Sequence, residues 1–303
     1  MSHITKLLMV RPVRFGYNIQ TAASNHFQKF IQGRDPQASA LEEFDRMVCS
    51  LKEYDIPVIV VEDTPEPETC DSIFPNNWFS THEDGTLVLY PMLAPNRREE
   101  RDPRVIKTIM EAAGTKNVLD LSGWEEQGEF LEGTGSLVLD RKSKVAYACR
   151  SPRTSEAVLN EFCNGLGYRP IVFDAVDNSG SPVYHTNVVM SIGESFAILC
   201  KDVILSPEEL SEVESCLSEA GKKVVGISYG QMCHFAGNIL EVKNLRGEKF
   251  VVMSQTARDI LTEDQLAVIG ENSTIIPVDI PCIENIGGGS ARCMMAEVVC
   301  PLQ

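Results

Sequence analysis

No apolar run in this 303-residue chain approaches the roughly 20 residues that a membrane-spanning helix needs. The opening MSHITKLLMVRPVRF holds too short an apolar stretch for a secretory signal, and arginine follows at once. A cytoplasmic protein is the expectation. Positive charge is scarce: 27 Lys and Arg stand against 43 Asp and Glu, giving a formal charge of −16. Such a surface repels phosphate backbones, which excludes nucleic acid as the expected partner. None of the ten cysteines forms a CxxC pair, and their spacing is irregular. That pattern fits free thiols in a reducing compartment rather than a disulfide framework. Metal-binding clusters are lacking too; only Cys233 and His234 adjoin, and two ligands do not make a zinc site. The first strand-like segment, LMVRPVRFG, has no Gly-rich phosphate turn after it, so a dinucleotide fold is not indicated.

What is present is a hydrophobic fraction of 43%, ordinary for a globular core, and a unit that keeps returning. The unit is an amphipathic helix, a turn and an apolar strand, followed by hairpin-like strands. Helices are expected near Ala38–Tyr54, from Asp102-Pro103 to Gly114, and from Ser151-Pro152 to Gly167. Two more are expected from Ser206, read as a capping box with Glu209, to Gly221, and from Thr262 to Gly270. Between them lie LVLYP, SLVLD, KVAYAC, NVVMSIG, FAILC, NILEV and FVVMS. Five returns at roughly 50–60 residues suggest a repeat architecture. Short paired strands favour hairpins over plain βαβ crossovers. The reading is an α/β fold in which one domain, residues 1–303, forms a five-bladed α/β propeller with pseudo-five-fold symmetry.

Cys293 follows the glycine run in GGGSARC (Gly287–Cys293) and is expected to begin an apolar strand at an accessible edge. Adjacent Arg292 would favour the thiolate, the form that acts as a nucleophile. The alternative is one more small core residue. A thiol nucleophile needs a proton shuttle, and only five histidines are available. His185 in VYHTNVVMS stands at the start of an apolar segment. His82 and His234 read as structural hydrogen-bonders, and no histidine stands out unaided. Glu132 in FLEGTGS sits between an apolar pair and a glycine turn, an unusual place for a solvated acid.

Taken together, these segments give the chain a resemblance to the pentein superfamily: arginine deiminases, dimethylarginine dimethylaminohydrolases and amidinotransferases. FPNNWFS resembles its first substrate loop, LEGTGS its acidic loop, YHTN its histidine loop and GGGSARC its nucleophile loop. Within it, NIQTAASNHFQ and QMCHFAGN are similar to the branch of citrulline-utilisation hydrolases. The resemblance implies a five-bladed α/β propeller with a central site in which Cys293 attacks a carbon, His185 shuttles protons and Glu132 holds the substrate. It implies no metal or organic cofactor and a small amino-acid-like substrate, while association into a homo-oligomer stays open.

One departure bears on the substrate. Where arginine deiminases carry two guanidinium-gripping aspartates, this chain has Asn77 and Asn187. A guanidinium only donates and wants carboxylates. A ureido group carries one carbonyl acceptor, which a carboxylate would leave unpaired and an asparagine NH2 would satisfy. A citrulline-like ureido substrate is therefore favoured over a guanidino one. Asn238 is a further candidate for the pocket, and Arg97, Arg98 or Arg101 in NRREER for holding a substrate α-carboxylate in a bidentate fork. An arginine deiminase, a dimethylargininase, an amidinotransferase and a non-catalytic propeller that serves as a binding module are the alternatives.

Overall fold

The computed structural model describes residues 3–30 and 35–301. The first blade contains β1 (His3–Arg11) and β2 (Val58–Glu62), joined by helix α1 (Pro36–Glu53). The second contains β3 (Phe79–Thr81), β4 (Thr86–Leu89), helix α2 (Pro103–Ala113) and β5 (Asn117–Asp120). The third has β6 (Val138–Asp140), β7 (Val145–Cys149), helix α3 (Glu156–Leu166) and β8 (Arg169–Phe173). The fourth has β9 (Met190–Ile192), β10 (Phe196–Cys200), helix α4 (Pro207–Glu219) and β11 (Lys223–Ile227). The fifth has β12 (Leu240–Lys243), β13 (Lys249–Ser254), helix α5 (Glu263–Ile269) and β14 (Thr274–Val278). The last strand, β15 (Ala296–Pro301), returns to the first blade and pairs antiparallel with β1, His3 opposite Pro301.

Every blade repeats one pattern: a first strand antiparallel to a middle strand, then a parallel outer strand reached through the helix. Two of the middle strands, in the third and fourth blades, are unbroken apolar runs because both faces are covered. Val145–Cys149 and Phe196–Cys200 are buried at every residue. Outer strands are more exposed: β11 and β14 alternate toward their C-terminal ends between buried and exposed residues. First strands of neighbouring blades touch one another, β15 with β3, β6 with β9 and β9 with β12, so they surround the centre. The five-bladed α/β propeller expected from the repeats is the observed fold.

Local chemistry explains the helix limits. Asp102 accepts from the Arg104 N–H, Pro103 fills the first turn, and Gly114 at φ +58° ends α2. Thr262 and Gln265 cap α5 reciprocally. Three expectations need correction. Only half the box forms at Ser206: its hydroxyl accepts from the Glu209 N–H, but the Glu209 side chain goes instead to Arg150 and the Asp174 N–H. Helix α3 starts at Glu156 rather than at Ser151-Pro152, because Ser151 and Thr154 pair in a bridge. NVVMSIG is not all strand; Thr186–Val189 makes one helical turn before β9. Among the described residues, no helix is long and apolar enough to cross a membrane.

Candidate active site

Five turns feed the five first strands and bring six candidate residues to the hub, two of them, His185 and Asn187, at the turn before β9. Pro75–Asn77 precedes β3, Gly133–Ser136 precedes β6, and Thr186–Val189 precedes β9. Asn238 lies just before β12, and Ala291–Met294 precedes β15. Asn77, Glu132, His185, Asn187, Asn238 and Cys293 are all buried.

Glu132 has no exposed surface. Its Oε2 lies 2.8 Å from His185 Nε2 and 3.2 Å from Arg153 Nη1, and its Oε1 accepts from the Leu93 N–H at 3.2 Å. Burial alone would push this carboxyl up. The Arg153 charge, the His185 hydrogen bond and the Arg97 charge reverse that and hold it well below the usual carboxylate range. An ionised carboxylate only accepts, so His185 Nε2 carries the proton and Nδ1 is the nitrogen left for chemistry.

Burial pushes the His185 imidazole down to about 4 against the opposing pull of Glu132, aided by the charges of Arg153 and Arg97. In the unfolded chain it titrates near 6.5. Between these values the unfolded chain takes up a proton that the folded protein refuses. The contribution of His185 to stability is therefore unchanged above about pH 6.5 and falls by about 3 kcal/mol as the pH drops to about 4. Urea unfolding at pH 7 and pH 4 should show the wild type losing about that much more than His185→Gln. Equal losses would contradict this protonation state.

Two asparagines line the Cys293 thiol. Asn187 Nδ2 donates to Thr134 O at 3.2 Å and lies 3.6 Å from the Cys293 sulfur; Asn238 Nδ2 lies 3.3 Å from it. The thiol is 4% exposed and sits in a short turn, not at an accessible strand edge as expected. Arg292 does not bond it; its guanidinium donates to Met295 O and Glu297. Gly135 makes room for the cluster. A Cβ there would stand 2.3 Å from Asn77 Nδ2 and 2.7 Å from the His185 ring, so these two groups are neighbours.

Arg97 is buried beside the site, but its fork is closed. Nε and Nη2 hold Glu100 at 2.8 and 2.9 Å, and Nη1 donates to Asn77 Oδ1 at 2.8 Å. It therefore cannot offer the bidentate grip expected for a substrate carboxylate. Arg98 and Arg101 are engaged with Glu125 and backbone carbonyls. His82 is buried among Phe162 and Tyr168, with Ser80 on its Nε2, and His234 bonds Gly230 O.

Sequence reasoning missed two buried charges. Asp71 accepts from Asn18 Nδ2 at 2.8 Å and lies 3.9 Å from Arg97. Arg153 reaches Glu132, Thr21 O and the Ser24 hydroxyl, and its guanidinium stacks over Tyr184. Asp71 sits in DSIFPNN among apolar neighbours, the same signal that singled out Glu132. The segment from Asn18 to Gln28 packs over this side of the hub, with Asn25 Nδ2 on Gly288 O. Three atoms of the cluster are buried without a hydrogen-bond partner: Asp71 Oδ1, Asn77 Nδ2 and Asn187 Oδ1. Among the described residues, no group of three or more His, Cys, Asp or Glu is placed to hold a metal ion.

The family model described as N,N dimethylarginine dimethylhydrolase, eukaryotic, matches residues 11–300. A comparison with curated proteins gave no match. Among solved structures, the substrate-bound N-terminal domain of ArgZ, an arginine dihydrolase from the ornithine-ammonia cycle in Cyanobacteria, superposes with a TM-score of 0.77 at 16% identity. That match covers 99% of this chain and 100% of that domain. The full-length ArgZ structure gives a TM-score of 0.76 at 16% identity, and this chain, 99% covered, spans 41% of its length. A mutant of DDAH from Pseudomonas aeruginosa complexed with citrulline gives a TM-score of 0.69 at 15% identity, covering 97% of this chain and 99% of that one.

Proposed function

The chain belongs to the eukaryotic N,N dimethylarginine dimethylhydrolase family of the pentein superfamily, hydrolases of non-peptide carbon–nitrogen bonds, and we propose that it cleaves the ureido group of a citrulline-like amino acid with Cys293 as nucleophile. The observation that carries this is the pair of unpartnered amide atoms beside His185–Glu132 and the thiol. Asn77 Nδ2 is a donor suited to the ureido oxygen. Asn187 Oδ1 is an acceptor suited to a ureido N–H.

In this reading the Cys293 thiol gives its proton to His185 Nδ1, and the sulfur attacks the ureido carbon. Amide N–H groups of Asn187 and Asn238 face the sulfur and stabilise charge on it. Asn77 supports the charge developing on oxygen. The tetrahedral intermediate collapses as His185 returns the proton to the leaving amine, and a carbamoyl thioester remains on Cys293. His185 then takes a proton from water, whose oxygen attacks the thioester carbon. The thiol is restored and carbamic acid leaves, to break down to ammonia and carbon dioxide. Glu132 fixes the imidazole orientation throughout and steadies its protonated form. All five blades contribute a site residue, so residues 1–303 act as a single catalytic domain in this proposal.

Incubation with citrulline should yield ornithine and ammonia. Turnover of arginine without turnover of citrulline would overturn the proposal. A guanidino substrate is the second reading. Asp71 Oδ1 favours it, being a buried carboxylate oxygen free to accept from a guanidinium N–H, as does the fold shared with an arginine dihydrolase.

A further inference from the structure

We propose that Arg97 is a positioning residue that sets the choice between ureido and guanidino groups by locking the side-chain amide of Asn77 in one orientation. This rests on the ureido reading above. Asparagine can present either its oxygen or its NH2, and the environment decides which. Here the decision is forced. Arg97 Nη1 stands 2.8 Å from Asn77 Oδ1, and a guanidinium has donors only. Were the amide reversed, N–H would face N–H in a buried site.

Arg97 cannot swing away to relieve that clash. Its Nε and Nη2 hold both oxygens of Glu100, and Nη2 also donates to Phe74 O at 3.1 Å. Arg97 is 2% exposed, Asn77 3% and Glu100 6%. The Asn77 NH2 is thereby committed to the opposite side. There it lies against Gly135 beside the His185 ring, with no partner of its own. A carbonyl oxygen arriving at that point completes the donor. A guanidinium nitrogen brings a second set of donors, leaving both groups unsatisfied. A mismatch of that kind is worth a factor of roughly 10 to 100 in relative kcat/KM.

The test is the ratio of kcat/KM for citrulline to that for arginine, across three variants. Arg97→Gln offers oxygen as well as NH2 to Asn77, so the amide is free to turn, and the ratio should fall about 10- to 100-fold. Arg97→Lys still offers donors only. It should keep the ratio within about threefold even where both kcat/KM values drop, since the orientation rule survives. Asn77→Asp leaves Arg97 paired with one carboxylate oxygen and turns the other toward His185. It should move the ratio toward arginine by a similar factor, and it decides the matter if Arg97→Gln does not fold. Equal losses for both substrates in Arg97→Gln, or an unmoved ratio in Asn77→Asp, would overturn the role of Arg97. Wild-type enzyme that takes arginine and leaves citrulline untouched would instead sink the ureido reading beneath it.

Discussion

Replacing Cys293 by serine should lower kcat for citrulline by at least about 10⁴-fold while leaving the protein folded. The reason lies in the base as much as in the nucleophile. His185 is pushed down to about 4 by burial, so its neutral imidazole is a weak base. A thiol gives up its proton far more readily than an alcohol does, so a weak base serves it better. The same base does not suffice for an aliphatic hydroxyl. Packing gives no reason for unfolding, since the hydroxyl is smaller than the thiol and Asn187 and Asn238 still line the position. Substrate affinity should therefore persist, measurable by calorimetry as citrulline binding without turnover. Rapid quench of the wild type should trap a mass increment of one carbamoyl group on Cys293. A serine variant within tenfold of wild-type kcat would eliminate the thiol as nucleophile.

The blades were legible in the sequence because each carries its own local signals. A capped helix start, a glycine stop and an unbroken apolar middle strand recur, and none depends on distant contacts. Glu132 was legible for a similar reason, since an acid among Phe130, Leu131 and glycine is locally anomalous. The hub turns were harder. Thr186–Val189 is a run of β-branched residues with an asparagine, which reads as strand, yet the entry into β9 bends it into a helical turn. The burial of Cys293 was illegible because its cover comes from Asn187 and Asn238, 106 and 55 residues away. The role of Arg97 was hidden for the same reason. A surface-like NRREER becomes a buried network only when Asn77, 20 residues earlier, folds against it. Arg153 belongs to this class as well. Its partners Thr21 and Ser24 lie more than a hundred residues upstream, so no window of sequence contains the interaction.

The other large effect should come from Glu132→Gln, and it separates catalytic from structural loss. Both carboxylate oxygens of Glu132 are accepting: Oε1 from the Leu93 N–H, Oε2 from His185 and Arg153. Glutamine has one acceptor oxygen, so its NH2 must oppose either the Leu93 N–H or the His185 and Arg153 donors together. The substitution also leaves the Arg153 charge buried without its counter-ion. Breaking a buried pair in this way costs about 3–5 kcal/mol, visible as a lower urea midpoint. Activity should fall further than stability explains. Without the carboxylate, no negative charge steadies the imidazolium that must form when the thiol gives up its proton, and the imidazole loses its fixed orientation. A drop of about 10³- to 10⁴-fold in kcat is expected, the range seen when a carboxylate that orients a catalytic imidazole is neutralised. Adding Arg153→Gln removes the stranded charge and should restore part of the stability. It should restore none of the activity, because the imidazolium still lacks its partner. Recovery of kcat along with stability in the double variant would mean that Glu132 serves only to neutralise Arg153.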